Sequence, residues 1–130
     1  MAKITLPLFV LLPRKTMPAR KIIINLNSYR NWHYIVSNLV KEQYTLALKD
    51  QLEHLKFNGK ISLMFILYKA SNRTSDRSNV LSIQEKFFCD ALTHYGCIPD
   101  DNDEIIYSTS YFSGELDKIN PRVEVFIQEI

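Results

Sequence analysis

KISLMFILYKASNRTSDRSNVLSIQEKFFCDALTHYG, from Lys60 to Gly96, decides the fold. Its first ten residues, Lys60 to Lys69, are almost continuously apolar, which predicts a central strand buried on both faces. A polar loop follows from Ala70 to Asn79. Ser78 or Asn79 then offers an N-cap, because a short polar side chain can accept a hydrogen bond from the free N–H groups of a first helical turn. The helix expected behind it runs from Val80 to about Tyr95. Leu81, Ile83, Phe87, Phe88, Ala91 and Leu92 recur along it at helical spacing. Gly96 stands where a helix ends in the left-handed conformation.

Working outward, Lys3 to Leu12 is a β-branched and apolar run closed by Pro13, and reads as one strand. Pro13 to Arg20 is a loop with two prolines and three bases. Lys21 to Asn27 predicts a second strand, and "NLNS" supplies capping residues. From about Tyr29 to Leu55 apolar residues recur at helical spacing without Gly or Pro, predicting one long helix stopped at Phe57 to Gly59. Beyond Gly96 comes the acidic turn "PDDNDE". Strands are expected over Ile105 to Phe112 and Arg122 to Ile130, joined through Gly114 and Pro121. The expectation is an α+β fold: a small mixed sheet of four to five strands with two main helices packed on it, as one domain over residues 1–130.

Composition agrees with that class. The chain has 130 residues, 46% hydrophobic and 23% charged, which suits a single globular domain with a real core. Its longest apolar run, Leu6 to Leu12, is interrupted by Pro7 and falls far short of the ~20 residues that cross a bilayer. No small-residue cleavage site follows it, so no signal peptide is expected. Cys89 and Cys97 make no disulfide framework, and a cytoplasmic location is expected. Met1 to Lys41 holds seven bases and no acid, whereas Asp90 to Ile130 holds nine acids and two bases. This segregation suggests a basic surface for a polyanion and a separate acidic cluster.

Candidate chemistry lies between Arg73 and Glu104. Lys86 and Asp90 are four residues apart on one helix and share a face. Asp76 precedes that helix, and Asp100 and Asp101 follow it. Phosphodiester hydrolysis needs a hard cation to offset phosphoryl charge and a water that is nucleophilic at neutral pH. Mg²⁺ is often held by only one or two carboxylates, and a lysine can steady the phosphate. Each residue also has a simpler explanation. Asp76 can cap the helix, Lys86 and Asp90 can form a surface ion pair, and a DDND run can be a solvated turn. His33, His54 and His94 lack ligand spacing, Trp32 and Tyr29 fit a packing face, and Cys89 suits a buried helix side.

The run from Asp76 to Ile105 resembles the signature of the RusA family, the Holliday junction resolvases of phage and prophage origin. The matching positions are Asp76, Asn79, Lys86, "CDAL" at Cys89 to Leu92, Gly96, and Asp100 with Asp101. The closing "NPRVEVFI" is similar as well, and the resemblance covers nearly the whole chain. It implies a homodimeric, Mg²⁺-dependent endodeoxyribonuclease, for which Mn²⁺ can substitute, acting in DNA recombination and repair in the bacterial host. Four-way junctions would be its substrate, resolved by paired symmetric nicks, with no membrane and no small-molecule cofactor. It further implies that Asp76, Lys86 and Asp101 are catalytic, and that Asp76, Asp90, Asp100 and Asp101 serve the metal, with Ser78 and Asn79 in support. Arg14, Lys15, Arg20, Lys21, Arg73 and Arg77 are the expected DNA contacts, since phosphate neutralisation dominates affinity for duplex arms. Phe112, Tyr111 or Met17 are candidate wedges at a junction centre.

The sequence departs from the family pattern twice. Ser78 stands where a second aspartate is expected, a carboxylate for which Asp90 or Asp103 could substitute, and the segment between Asn79 and Lys86 is about four residues longer, roughly one helical turn. The alternative is therefore a branched-DNA binding protein of the same fold that has lost cleavage.

Overall fold

A computed structural model describes residues 1–73 and 76–130. The strands are β1 (Ala2–Leu6), β2 (Phe9–Leu12), β3 (Arg20–Ile23), β4 (Ile61–Tyr68), β5 (Ile106–Ser113) and β6 (Arg122–Glu129). The helices are α1 (Leu26–Arg30), α2 (Tyr34–Ala47), α3 (Lys49–Leu52) and α4 (Arg77–His94). The result is a mixed α+β fold with a four-stranded sheet ordered β1-β6-β4-β5 and a separate β2-β3 hairpin. β4 and β5 are parallel, and the other neighbouring pairs are antiparallel. Parallel neighbours need a long crossover, and α4 supplies it.

β4 lies between β6 and β5, so its central position holds. Its burial on both faces does not. Ile61, Leu63, Phe65 and Leu67 are buried, while Ser62, Met64, Ile66 and Tyr68 are half-buried. Strand side chains alternate between faces, so only one face of the sheet meets the helices. There the Phe65 ring meets Phe88 of α4 edge-on at 5.9 Å. Val123, Val125 and Ile127 of β6 and Ile4 and Leu6 of β1 complete the same face.

The expected strand from Lys3 to Leu12 is two strands in two sheets. Pro7 has no N–H to give a ladder, and the chain turns there. The expected helix from Tyr29 to Leu55 is three helices. Asn25 caps α1 by accepting from Ser28 N, and His33 Nδ1 caps α2 by accepting from Ile35 N. Between the two helices, Trp32 packs against Tyr29 and Phe87. Those aromatic contacts outweigh the gain from extending an uninterrupted helix.

α4 starts three residues earlier than expected. Asp76 is its N-cap residue, although its side chain makes no capping hydrogen bond. Ser78 and Asn79 lie inside the first turn. The loop expected over Ala70 to Asn79 thus ends sooner, and its positions Thr74 and Ser75 lie outside the described residues. Gly96 closes the helix at φ +71°, as expected. Cys89 and Cys97 are free and buried. Among the described residues, no helix is long and apolar enough to cross a membrane.

Candidate active site

The C-terminal half of α4 and the start of β5 wall an open cleft of about 280 Å³. α4 contributes Glu85, Lys86, Cys89 and Asp90. The turn after it contributes Asp101 and Asp103, and Tyr107 to Thr109 form the β5 side. Helical spacing puts Lys86 and Asp90 on one wall. Gly96 reverses the chain so that the acidic turn comes back against that wall.

The turn is held by its own side chains. Asp100 accepts from Asp101 N at 2.8 Å and from Asn102 Nδ2 at 3.3 Å. Those bonds hold the Asp100 carboxyl below the usual carboxylate range. Asn102 Oδ1 in turn accepts from Glu104 N and Ile105 N. Asp100 is thereby a structural part of the turn, while Asp101 and Asp103 are left exposed and facing the cleft.

Asp90 and Lys86 do not form the ion pair that their spacing allows. Asp90 Oδ2 lies 2.9 Å from Lys41 Nζ of α2 and is closed to solvent; the alignment is that of an ion contact rather than a hydrogen bond. Lys86 is exposed and has no carboxylate partner among the described residues. Its ammonium is free to meet a ligand.

Glu85 is fixed by Tyr111, whose hydroxyl donates to Glu85 Oε1. Burial first, and that hydrogen bond next, push the Tyr111 hydroxyl well above its ordinary value. Cys89 records how closely the carboxylates gather. Its thiol is pushed up to about 12, first by burial and then by the charges of Glu85, Asp101 and Asp90. Carboxylates from α4 and from the turn after it thus line one cleft. Among the described residues, no three His, Cys, Asp or Glu side chains stand close enough to make a ready metal centre.

Not every expected site residue joins the cleft. Asp76 stands ten residues before Lys86, about 15 Å along α4 at the rise of a helix, and does not line the cleft. The expected pairing of Asp76 with Asp101 is not found within one chain. Ser78 is exposed at that same remote end. Asn79 has a structural task there, since its Oδ1 accepts from Asn27 N and ties α4 to α1. Of the cleft carboxylates, Glu85 was not assigned by the motif, and Asp103 stood only as a substitute for the aspartate missing at Ser78. The i, i+4 spacing of Glu85 from Cys89 was a signal for the first, and the acidic turn for the second.

None of the six expected DNA contacts lines the acidic cleft, and four of them belong to the β2–β3 hairpin. Arg14 and Lys15 lie in the exposed β2–β3 loop, where Arg14 Nε donates to Pro18 O. Arg20 and Lys21 are on β3, and Lys21 Nζ sits 4.3 Å over the Phe9 ring. Arg77 donates to Ser113 Oγ at 3.2 Å. Arg73 lines a different concavity together with Lys21. Of the three candidate wedges, Phe112 and Met17 are exposed, while Tyr111 is committed to Glu85. No protein-family model matches this chain, and no curated protein matches it.

Proposed function

We propose that this protein is a metal-dependent endodeoxyribonuclease that resolves four-way DNA junctions, working as a homodimer in the bacterial cytoplasm. The observation that carries the reading is that Glu85, Asp90, Asp101 and Asp103 line one open cleft with Lys86, which has no carboxylate partner among the described residues. The RusA-like order of Lys86, Asp90, Gly96 and Asp101 along the chain supports it.

The donors suit a hard cation, since all are carboxylate oxygens. Asp101 and Asp103, exposed on the turn, would hold Mg²⁺ or Mn²⁺, with Asp90 on the facing wall. When bound, the ion supplies charge neutralisation at the phosphate and a more acidic water. The protein's own groups do the rest. Lys86 Nζ offsets the charge that grows on the phosphoryl oxygens as a water oxygen adds to phosphorus and the bond to one sugar oxygen breaks. Tyr111 keeps Glu85 in a single orientation on the cleft wall. Lys41 neutralises part of the Asp90 charge, so that the facing carboxylates repel one another less. A two-fold dimer suits a substrate with two opposed strands of like geometry.

A second reading is a branched-DNA binding protein without cleavage. The remoteness of Asp76 and Ser78 from the cleft, and the engagement of Asp90 by Lys41, favour it. A labelled synthetic four-way junction, incubated with Mg²⁺ or Mn²⁺ beside a linear duplex of the same sequence, decides between them. Paired symmetric nicks on the junction alone establish the nuclease. Tight junction binding with no nicks at any metal concentration establishes the binding protein.

A further inference from the structure

A second concavity, about 820 Å³, shares no residue with the acidic cleft and lies toward the other end of α4. Its floor is apolar, built in part from Leu8, Leu67 and Val80, and Phe9 stands at its side with 42% of its surface exposed. Lys21, Lys69 and Arg73 line it from three segments, and no carboxylate does. Among the described residues none of the three has an ion-pair partner. Arg122, the fourth cation of the lining, is already held by Asp117 and Glu124.

We infer that this groove binds a stretch of unpaired nucleotides. The charge pattern selects an anion, and the apolar lining selects among anions. A duplex offers phosphates but keeps its bases stacked inside, so it leaves the floor and Phe9 uncovered. A free strand offers both, with phosphates for cations that have no ion-pair partner and a flat base face for the side of the Phe9 ring that Lys21 Nζ, 4.3 Å from its centroid, does not cover, the combination by which proteins hold single strands. An acidic peptide matches the charge but brings no flat apolar faces. The three cations approach from β3, from the residue after β4 and from the loop beyond it, as an extended ligand requires. The groove shares Lys21 and Arg73 with the DNA contacts expected of the nuclease, but none of its residues lines the acidic cleft, so the two sites can be tested apart.

The test is fluorescence anisotropy of a labelled ~20-nucleotide oligothymidylate with the full chain in EDTA, so that no metal-dependent cutting enters. The oligonucleotide is expected to bind more tightly than a duplex of equal length. Three phosphate contacts give a log–log salt slope of about −2. Lys21→Glu with Lys69→Glu is expected to lower affinity ~10-fold or more, and Phe9→Ala ~5-fold or more, the lower end of the range for one stacked base. Lys56→Glu, an exposed site outside the groove, changes little. Lys21→Gln with Lys69→Gln replaces the reversal if circular dichroism shows that variant unfolded, and is expected to weaken binding in the same direction. Duplex binding as tight as the single strand, unchanged affinity in the folded lysine variants, or equal displacement by polyglutamate would overturn the inference. Junction cutting without oligothymidylate binding overturns this groove alone, and the converse overturns only the nuclease.

Discussion

Tyr44 Oη donates a 2.7 Å hydrogen bond to Gln84 Oε1, and both side chains are fully closed to solvent. Gln84 Nε2 in turn donates to the carbonyl of Pro7 at 2.7 Å, where β1 gives way to β2. One buried amide thus joins α2, α4 and the turn between the two sheets. The Tyr44 ring also meets Phe87 edge-on at 5.5 Å, inside the cluster that holds α1 to α4. A buried polar group left without a partner costs about 1–3 kcal/mol. Gln84→Leu orphans both the Tyr44 hydroxyl and the Pro7 carbonyl. Its urea midpoint is expected to fall by an amount equivalent to at least about 2 kcal/mol. A change under about 0.5 kcal/mol would show that the network is dispensable.

The same pair makes stability depend on alkaline pH. Burial, and then the neighbouring Cys89, raise the Tyr44 hydroxyl well above its ordinary value of 10.0. A group whose native value is raised keeps its full contribution below the unfolded value and loses it as pH climbs toward the native one. Stability is therefore expected to hold through neutrality and to fall as pH passes 10.0. In Tyr44→Phe, starting from a lower stability, that decline is shallower. Parallel declines for the two proteins in thermal melts against pH would refute the assignment.

Asp101→Asn removes one exposed carboxylate of the cleft while keeping the turn, because the turn bonds run through Asp100 and Asn102. Junction cutting is expected to drop ~100-fold or more, about 2.7 kcal/mol of barrier. Junction binding in EDTA is expected to survive or tighten as negative charge is lost. Mn²⁺ should raise the melting temperature of the native chain, as any ligand of the folded state does, and raise it less in the variant. Full activity in Asp101→Asn would sink the metal-site reading.

The Lys41–Asp90 pair is partly open to water, with the two side chains 44% and 32% exposed. Screening limits such a pair to about 0–1 kcal/mol. A double-mutant cycle with Lys41→Met and Asp90→Asn is expected to show a coupling within that range. Lys41→Met alone also restores the full Asp90 charge to the cleft. Its Mn²⁺-dependent rise in melting temperature is expected to exceed that of the native chain, and no gain would place Asp90 outside the ion's reach.

Gly96 bears its φ of +71° at a site where an added Cβ meets nothing. The cost of Gly96→Ala is then conformational alone, about 1–2 kcal/mol for a left-handed L-residue. Thermal or urea unfolding reads it. A loss of metal response beyond that stability change would show that the helix stop also sets the position of Asp101.

Much of the fold was legible from local chemistry. β4 declares itself by a continuous apolar run, α4 by helical spacing, the closing strands by their β-forming residues between turn signals, and Gly96 by its lack of a side chain. The acidic turn was legible too, since Asp and Asn side chains bond their own backbone. The N-terminal half was less so. Lys3 to Leu12 reads as one strand because its composition is continuous across Pro7, while the break sends the two halves to different sheets. The run from Tyr29 to Leu55 reads as one helix because no Gly or Pro marks its joints, and the packing of Trp32 against Phe87 opens it.

The candidate site divides in the same way. Lys86 and Asp90 share a helix face by spacing alone, and Gly96 with the acidic turn follows from local conformational preference. The partners of these residues come from afar. Asp90 faces Lys41 from another helix, and Glu85 takes its hydrogen bond from Tyr111 on β5. Asp76 is carried away from Asp101 because a rigid helix separates two motif halves that lie close in sequence. The residues settled their own backbone conformations, which depend on near neighbours. Which charges meet and which stay free was decided only by packing, because that depends on how distant helices and strands come together around one core.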